Sequence, residues 1–233
     1  MKSKKFDLLM DEMSNCELCT SLKSPKGKEC SLINIYKNKK LSKKIPSIWT
    51  DWYNRLDSNI LIIGQDWGPF CDIKRLNEEY IKEETKENWK RLIESEKSIT
   101  KKNLTKYLIE SSCGKINSID GIYITNAIMC ARCGNNYRGN NIDLKFSTIS
   151  CSKFLLRQIK IVKPKVILSL GYYPLLSLSK IFDFPIESNL KKCIEKTPII
   201  KVKDYVIIPA YHPAAQIKKE EQIKQYSKIW EIL

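Results

Sequence analysis

The stretch Asn59-Ile-Leu-Ile-Ile-Gly64-Gln65-Asp66-Trp67-Gly68-Pro69-Phe70 joins an apolar, β-branched run to a cluster of polar and aromatic residues. A run of that length and content reads as a strand buried on both faces, which needs helices on each side of it. Three further runs end in the same manner: Gly121 to Ala127 carries Thr125-Asn126, Pro164 to Leu170 leads into Gly171-Tyr172, and Tyr205 to Ala210 leads into Tyr211-His212-Pro213. Helical patterning separates them, with segments near Phe6 to Met13, in the polar stretch 74–95, over Leu104 to Ser112, over Ser147 to Ile161 with Ser147 or Thr148 as N-cap, from Gly171 to about Ile181, and over Ala214 to Leu233. Strands alternating with helices predict a three-layer α/β/α fold around a central four-stranded parallel sheet with right-handed crossovers. Ligands of such sheets bind just beyond the carboxyl ends of the strands, so the four clusters converge on one expected site. That site would hold Asp66, Asn126 and His212, the only histidine of the chain.

A chain of 233 residues is long enough for one well-filled core, and nothing in its composition marks a second domain. The expectation is a single domain over residues 1–233, with an N-terminal cysteine-containing lobe (1–58) attached to an α/β core (59–233). Forty-one Lys and Arg against 26 Asp and Glu give a formal net charge of +15, a field that attracts polyanions and makes nucleic acid the first partner to consider. Lys-, Ile- and Asn-rich usage runs through the whole chain, so the charge speaks for association and not for an activity. No apolar run approaches the roughly 18–20 residues that span a bilayer, and the N-terminus lacks the apolar core of a signal peptide. The expectation is therefore a cytoplasmic protein with no membrane association, acting as a monomer. Nine cysteines in a reducing compartment suggest metal ligation more than disulfides, while Cys71, Cys113 and Cys193 suit buried small hydrophobes.

Gly64-Gln65-Asp66 resembles the first motif of the uracil-DNA glycosylase superfamily, which in one branch begins Gly-Gln-Asp-Pro-Tyr, and Tyr211-His212-Pro213-Ala214 resembles its second, usually His-Pro-Ser. Thr125-Asn126-Ala-Ile-Met-Cys130, followed by Cys151, is similar to the iron–sulfur branch, where an Asn on the second strand precedes a cluster cysteine. The resemblance covers most of the chain. It implies a monofunctional DNA glycosylase that hydrolyses the N-glycosidic bond of uracil or a related pyrimidine and leaves an abasic site. Breaking that bond builds positive charge on the sugar and negative charge on the base, so a fixed anion and a hydrogen-bond donor are wanted on opposite sides. By resemblance Asp66 orients the attacking water and steadies the sugar cation, and a neutral His212 donates to O2 of the base.

The base would lie among Gly64, Gln65, Gly68, Phe70 and Asn126, with the Asn126 carboxamide reading N3 and O4, and with Phe70 or Trp67 stacking on the ring. Gly68 stands where the Gly-Gln-Asp-Pro-Tyr enzymes place a tyrosine against C5 of the base, as glycine also does in the iron–sulfur relatives. An open C5 side admits a bulky modified pyrimidine, which gives the alternative reading of a glycosylase acting on C5-modified cytosine in defence against phage. Arg132, Tyr137 and Arg138 in a polar loop suit phosphates, and Gln216, after the His motif, suits the gap left by an extruded base. Cys16, Cys19, Cys130 and Cys151 match the ligand layout of the iron–sulfur branch, for a [4Fe–4S] cluster or, alternatively, zinc, with Cys30 or Cys133 as possible substitutes for one of the four. A third reading is a metal-stapled nucleic-acid-binding module without catalysis, which the intact Asp66 and His212 oppose.

Overall fold

The computed structural model describes residues 1–18, 32–37, 52–68, 98–132 and 144–233. Cys19, Cys30, Phe70, Cys71, Cys133, Tyr137, Arg138 and the helices expected in 74–95 lie outside the described residues. The strands are Leu32–Ile33 (β1), Ile60–Gly64 (β2), Tyr123–Asn126 (β3), Ala131–Arg132 (β4), Val166–Leu170 (β5), Ile200–Val202 (β6) and Tyr205–Ala210 (β7). The helices are Lys2–Ser14 (α1), Ile99–Ser111 (α2), Leu144–Val162 (α3), Tyr172–Phe182 (α4), Leu190–Lys196 (α5) and Lys219–Ile232 (α6), with a 3-10 turn at Tyr53–Arg55.

Four strands pair in parallel in the order β3-β2-β5-β7, and β6 adds a fifth, antiparallel strand beside β7. The expected four-stranded parallel sheet is thus extended by one edge strand. It is joined through Lys203-Asp204, with Lys203 in a left-handed conformation at φ 50°. Alternate side chains of each strand feed two separate cores, as a sheet covered on both faces requires. Leu61, Ile63, Tyr123, Ile167 and Ile207 join α1, α3 and α4 on one face, while Ile60, Ile62, Ile124, Leu168 and Ile208 join α2 and α6 on the other. Leu61, Ile62 and Ile63 are fully buried, and each such side chain contributes about 1.5–3 kcal/mol.

The N-terminal helix is part of the first core. Phe6, Leu9, Met10 and Met13 fall at helical spacing on one face of α1 and are buried in the same cluster as Phe154 and Leu155 of α3. Glu12 and Arg157 pair across the two helices, and Lys2 caps the carbonyls of Leu56 and Val162 at 2.8 and 3.0 Å. Trp52 is fully buried between Phe6, Tyr36, Trp67 and Tyr123, and donates its indole N–H to the Ile124 carbonyl.

Several boundaries differ from expectation. Ser147 and Thr148 are not N-caps but fully buried residues inside α3, which begins at Leu144. Helix α2 begins five residues before the expected Leu104, because Ser98 accepts from the Lys101 N–H and satisfies an otherwise orphaned donor. The last helix starts at Lys219, leaving 214–217 as a turn. Cys113, expected inside, is exposed in a left-handed conformation at φ 49° just past α2, whereas Cys193 is buried.

Candidate active site

The parallel strands end together at Gly64, Asn126, Leu170 and Ala210. The strand order reverses direction between β2 and β5, which is where open α/β sheets leave a crevice. A cavity of about 310 Å³ opens there, bounded by Gly64, Gln65, Asp66, Trp67, Thr100, Ile124, Asn126, Arg132, Leu170 and His212. That is the small end of ligand pockets and fits one nucleoside-sized group.

The first wall is fixed by main-chain bonds that continue the β2–β3 ladder beyond its last pair. Ala127 N–H donates to the Gly64 carbonyl at 2.8 Å, Ile128 N–H to Gln65 at 2.9 Å and Arg132 N–H to Gly68 at 2.9 Å. On this clamped segment the Asp66 side chain is only 3% exposed. Its Oδ1 accepts from Gly68 N–H at 2.7 Å and from Arg132 Nε at 3.0 Å, and its Oδ2 accepts from Gln65 Nε2 at 2.9 Å. A carboxylate has about four lone-pair sites, so one remains for a further donor.

Gly64 and Asn126 are opposite partners in register, and the absence of a side chain at Gly64 makes room for the other. A Cβ there would fall well inside van der Waals contact with Asn126 Oδ1. The Asn126 side chain is 7% exposed, borders the cavity, and has no hydrogen-bond partner among the described residues. The amide thus meets the cavity with its donor and acceptor capacity open to a ligand.

His212 follows β7 on a loop held from two helices. Gln225 of α6, buried, accepts the Tyr211 N–H at 2.9 Å; the fully buried Gln222, one turn earlier, donates to the carbonyls of Ala215 and Ile217; and Asn103 of α2 donates to Pro213 at 3.0 Å. His212 Nδ1 accepts from the Ala214 N–H at 3.2 Å, which leaves the proton of the neutral ring on Nε2. Burial pushes the His212 pKa below its usual value, against the opposing pull of Asp66, so the ring is neutral at pH 7.

The expected residues are therefore distributed as follows. Gly64, Gln65, Asp66, Asn126 and His212 meet around one cavity, and Trp67 joins them, donating its indole N–H to Tyr36 at 3.2 Å. Gly68 does not bound the cavity; it backs Asp66 at φ 79°, with nothing among the described residues within 4 Å of where a Cβ would lie. Arg132, on β4, borders the cavity and pairs with Asp66. Gln216 is exposed beside the His212 loop. Thr100, in the first turn of α2, is a cavity residue that sequence reading missed; Ser98 as a helix cap was the signal that would have found it.

The cysteines are only partly gathered. Cys130 and Cys151 are buried near Tyr36, whose phenol is raised well above its usual range by burial, with the two thiols adding to it. Cys16 is half-buried against the same core. Among the described residues no three His, Cys, Asp or Glu side chains converge as a metal site, and Cys19 lies outside them. Two buried thiols suit one half of a four-thiolate set.

Comparison with known proteins agrees with this geometry. A family model for the uracil DNA glycosylase superfamily matches residues 50–233. A type-4 uracil-DNA glycosylase of Sulfurisphaera tokodaii is 35% identical over 103 residues, 42% of this chain and 43% of that protein. The chain thus matches less than half the length of that relative. With the matched span running from just before β2 to the last residue and taking in the whole cavity, the chain belongs to the uracil DNA glycosylase superfamily.

Proposed function

We propose that the protein is a monofunctional DNA glycosylase that hydrolyses the N-glycosidic bond of uracil or a related pyrimidine in DNA and leaves an abasic site. Family membership supports a DNA glycosylase, and the observation that carries the base assignment is the Asn126 carboxamide on one cavity with Asp66 and His212. An extruded base enters beside Trp67, and Asn126 accepts from N3–H and donates to O4. Asp66 directs water through its remaining lone pair and faces the sugar as positive charge develops. His212 donates Nε2–H to the departing base. A net charge of +15 favours association with DNA.

One observation favours a second reading. No described partner fixes which way the Asn126 amide points, and the flipped amide presents the pattern that cytosine needs. Excision of a bulky C5-modified cytosine, as a defence against phage, follows from that orientation. A panel of single- and double-stranded oligonucleotides carrying uracil, thymine, cytosine and bulky 5-substituted cytosines separates the two. The first reading expects release of uracil in excess over every other base; release of the bulky base alone transfers the assignment to the second, and release of none overturns both.

Filling the space at Gly64 tests the base reader. Gly64→Ala is expected to push the Asn126 carboxamide aside and slow base release about 10²-fold, the cost of a misplacement near 1 Å, with melting temperature and DNA affinity little changed. Rates measured at saturating enzyme and equal to wild type would remove Asn126 from base recognition.

We further propose that Cys16, Cys19, Cys130 and Cys151 hold a [4Fe–4S] cluster, zinc being the alternative. When bound, the group would supply a structural staple between the N-terminal segment, the β3–β4 connection bearing Cys130 and helix α3 bearing Cys151. The purified protein is expected to be brown, to absorb near about 400 nm and to lose folded yield in Cys151→Ser. Stoichiometric zinc without iron would select the alternative, and a stable metal-free protein would overturn both.

A further inference from the structure

Arg132 has the sequence context of a phosphate contact and the surroundings of something else. Its side chain is only 15% exposed, its Nε donates to Asp66 Oδ1 at 3.0 Å, and it borders the cavity. The main chain closes the same circuit, with Arg132 N–H bonded to the Gly68 carbonyl and Gly68 N–H bonded to Asp66 Oδ1. Strand β4 is in turn paired with β1, Leu32 opposite Arg132, so the arginine is held from behind as well. An arginine that reaches out to DNA phosphates is exposed and loosely held; this one is mostly covered and is tied down at both its main chain and its side chain.

We infer that Arg132 is a positioning residue for Asp66, fixing which carboxylate oxygen meets the attacking water. Gly68 and Arg132 together occupy Oδ1, and Gln65 takes one site on Oδ2, so the open lone pair is on Oδ2. Without the guanidinium the carboxylate keeps only Gly68 N–H on Oδ1 and Gln65 Nε2 on Oδ2, so its plane is held less firmly and the water's acceptor is less sharply aimed. Arginine differs from lysine here because its Nε–H lies in a rigid plane and meets Oδ1 from one direction, whereas an ammonium rotates its donors freely. The inference rests on the glycosylase reading and names how its carboxylate is set.

The test compares Arg132→Met and Arg132→Lys with wild type in single-turnover base release at saturating enzyme, together with DNA affinity measured across a salt series. Positioning predicts a rate about 10–100-fold lower in Arg132→Met, partial recovery in Arg132→Lys, and an unchanged salt slope. A phosphate contact predicts the opposite split: an unchanged rate at saturation, weaker binding, and a salt slope shallower by about one. That pattern, or unchanged values throughout, overturns the inference. Urea denaturation of Asp66→Ala, Arg132→Met and the double variant is read alongside, with no DNA present. Coupling predicts that the double variant loses less stability than the sum of the two single losses, and simple additivity overturns the pairing. A wild type that releases no base while the cycle shows coupling sinks the glycosylase reading and with it the positioning role, yet leaves the pair itself established.

Discussion

Asp66→Asn is expected to slow base release by about 10²–10⁴-fold while DNA affinity and folding are kept. The asparagine is the same size, and its Oδ1 can still accept from Gly68 N–H and Arg132 Nε, so the clamped wall survives. What is lost is the anion that faces the sugar and the strong acceptor for water. Asp66→Ala is expected to behave differently: it strands the largely buried Arg132 guanidinium, and removing one partner of such a pair costs up to about 3–5 kcal/mol. Single-turnover rates and urea midpoints for the two variants separate the catalytic loss from the structural one. A wild-type rate in Asp66→Asn would show that another group directs the water.

His212→Gln is expected to lower the rate by about 10²–10³-fold, the range for losing one donor to a developing anion. It is also expected to abolish the acid limb of the pH profile. In the wild type the pKa of His212 is lowered by burial, so the ring is neutral above the ordinary histidine value of about 6.5 and gains a proton only below it. Protonation would put a hydrogen on Nδ1 against the Ala214 N–H and break the bond that fixes the ring. The rate is therefore flat through neutral pH and falls on the acid side. Stability follows the same sign: a histidine whose folded pKa is depressed contributes fully above the unfolded value and loses that contribution as pH falls through the folded one. A rate that rises as pH falls below 6 would instead mean that the imidazolium is the working donor.

The strands of the sheet were legible because each is a continuous apolar run closed by a residue with its own reason to stop. Gly64 stops β2 to make room for Asn126, and Asn126 and His212 stand at strand ends where no core packing explains them. The edge strand β6 was not legible, since its hairpin turns on Lys203-Asp204 and lacks the Asn-Gly or Asp-Gly signal that a two-residue turn usually carries. Helix α2 was read too short because Ile99 is exposed and Lys101 and Lys102 follow it, so its first turn shows no apolar stripe.

The role of Arg132 was illegible for a different reason. Its pairing with Asp66 spans 66 residues and depends on the β1–β4 pairing and the Gly68 bond, neither of which leaves a local pattern. A polar, basic loop beside a cysteine motif looks the same whether its arginine faces phosphate or carboxylate. Likewise the helix α1 stripe at Phe6, Leu9, Met10 and Met13 was readable as amphipathic, but its partner, α3, was not, because the contact joins segments about 145 residues apart.

The most direct test of the account is the mass of a defined oligonucleotide strand after incubation with wild type and with Asp66→Asn. The account predicts that wild type converts a uracil-containing strand into one lighter by the base and heavier by the water that replaces it, with the backbone intact, and that Asp66→Asn leaves the mass nearly unchanged over the same time. A strand broken at the target position, or a base released equally well by Asp66→Asn, would contradict it.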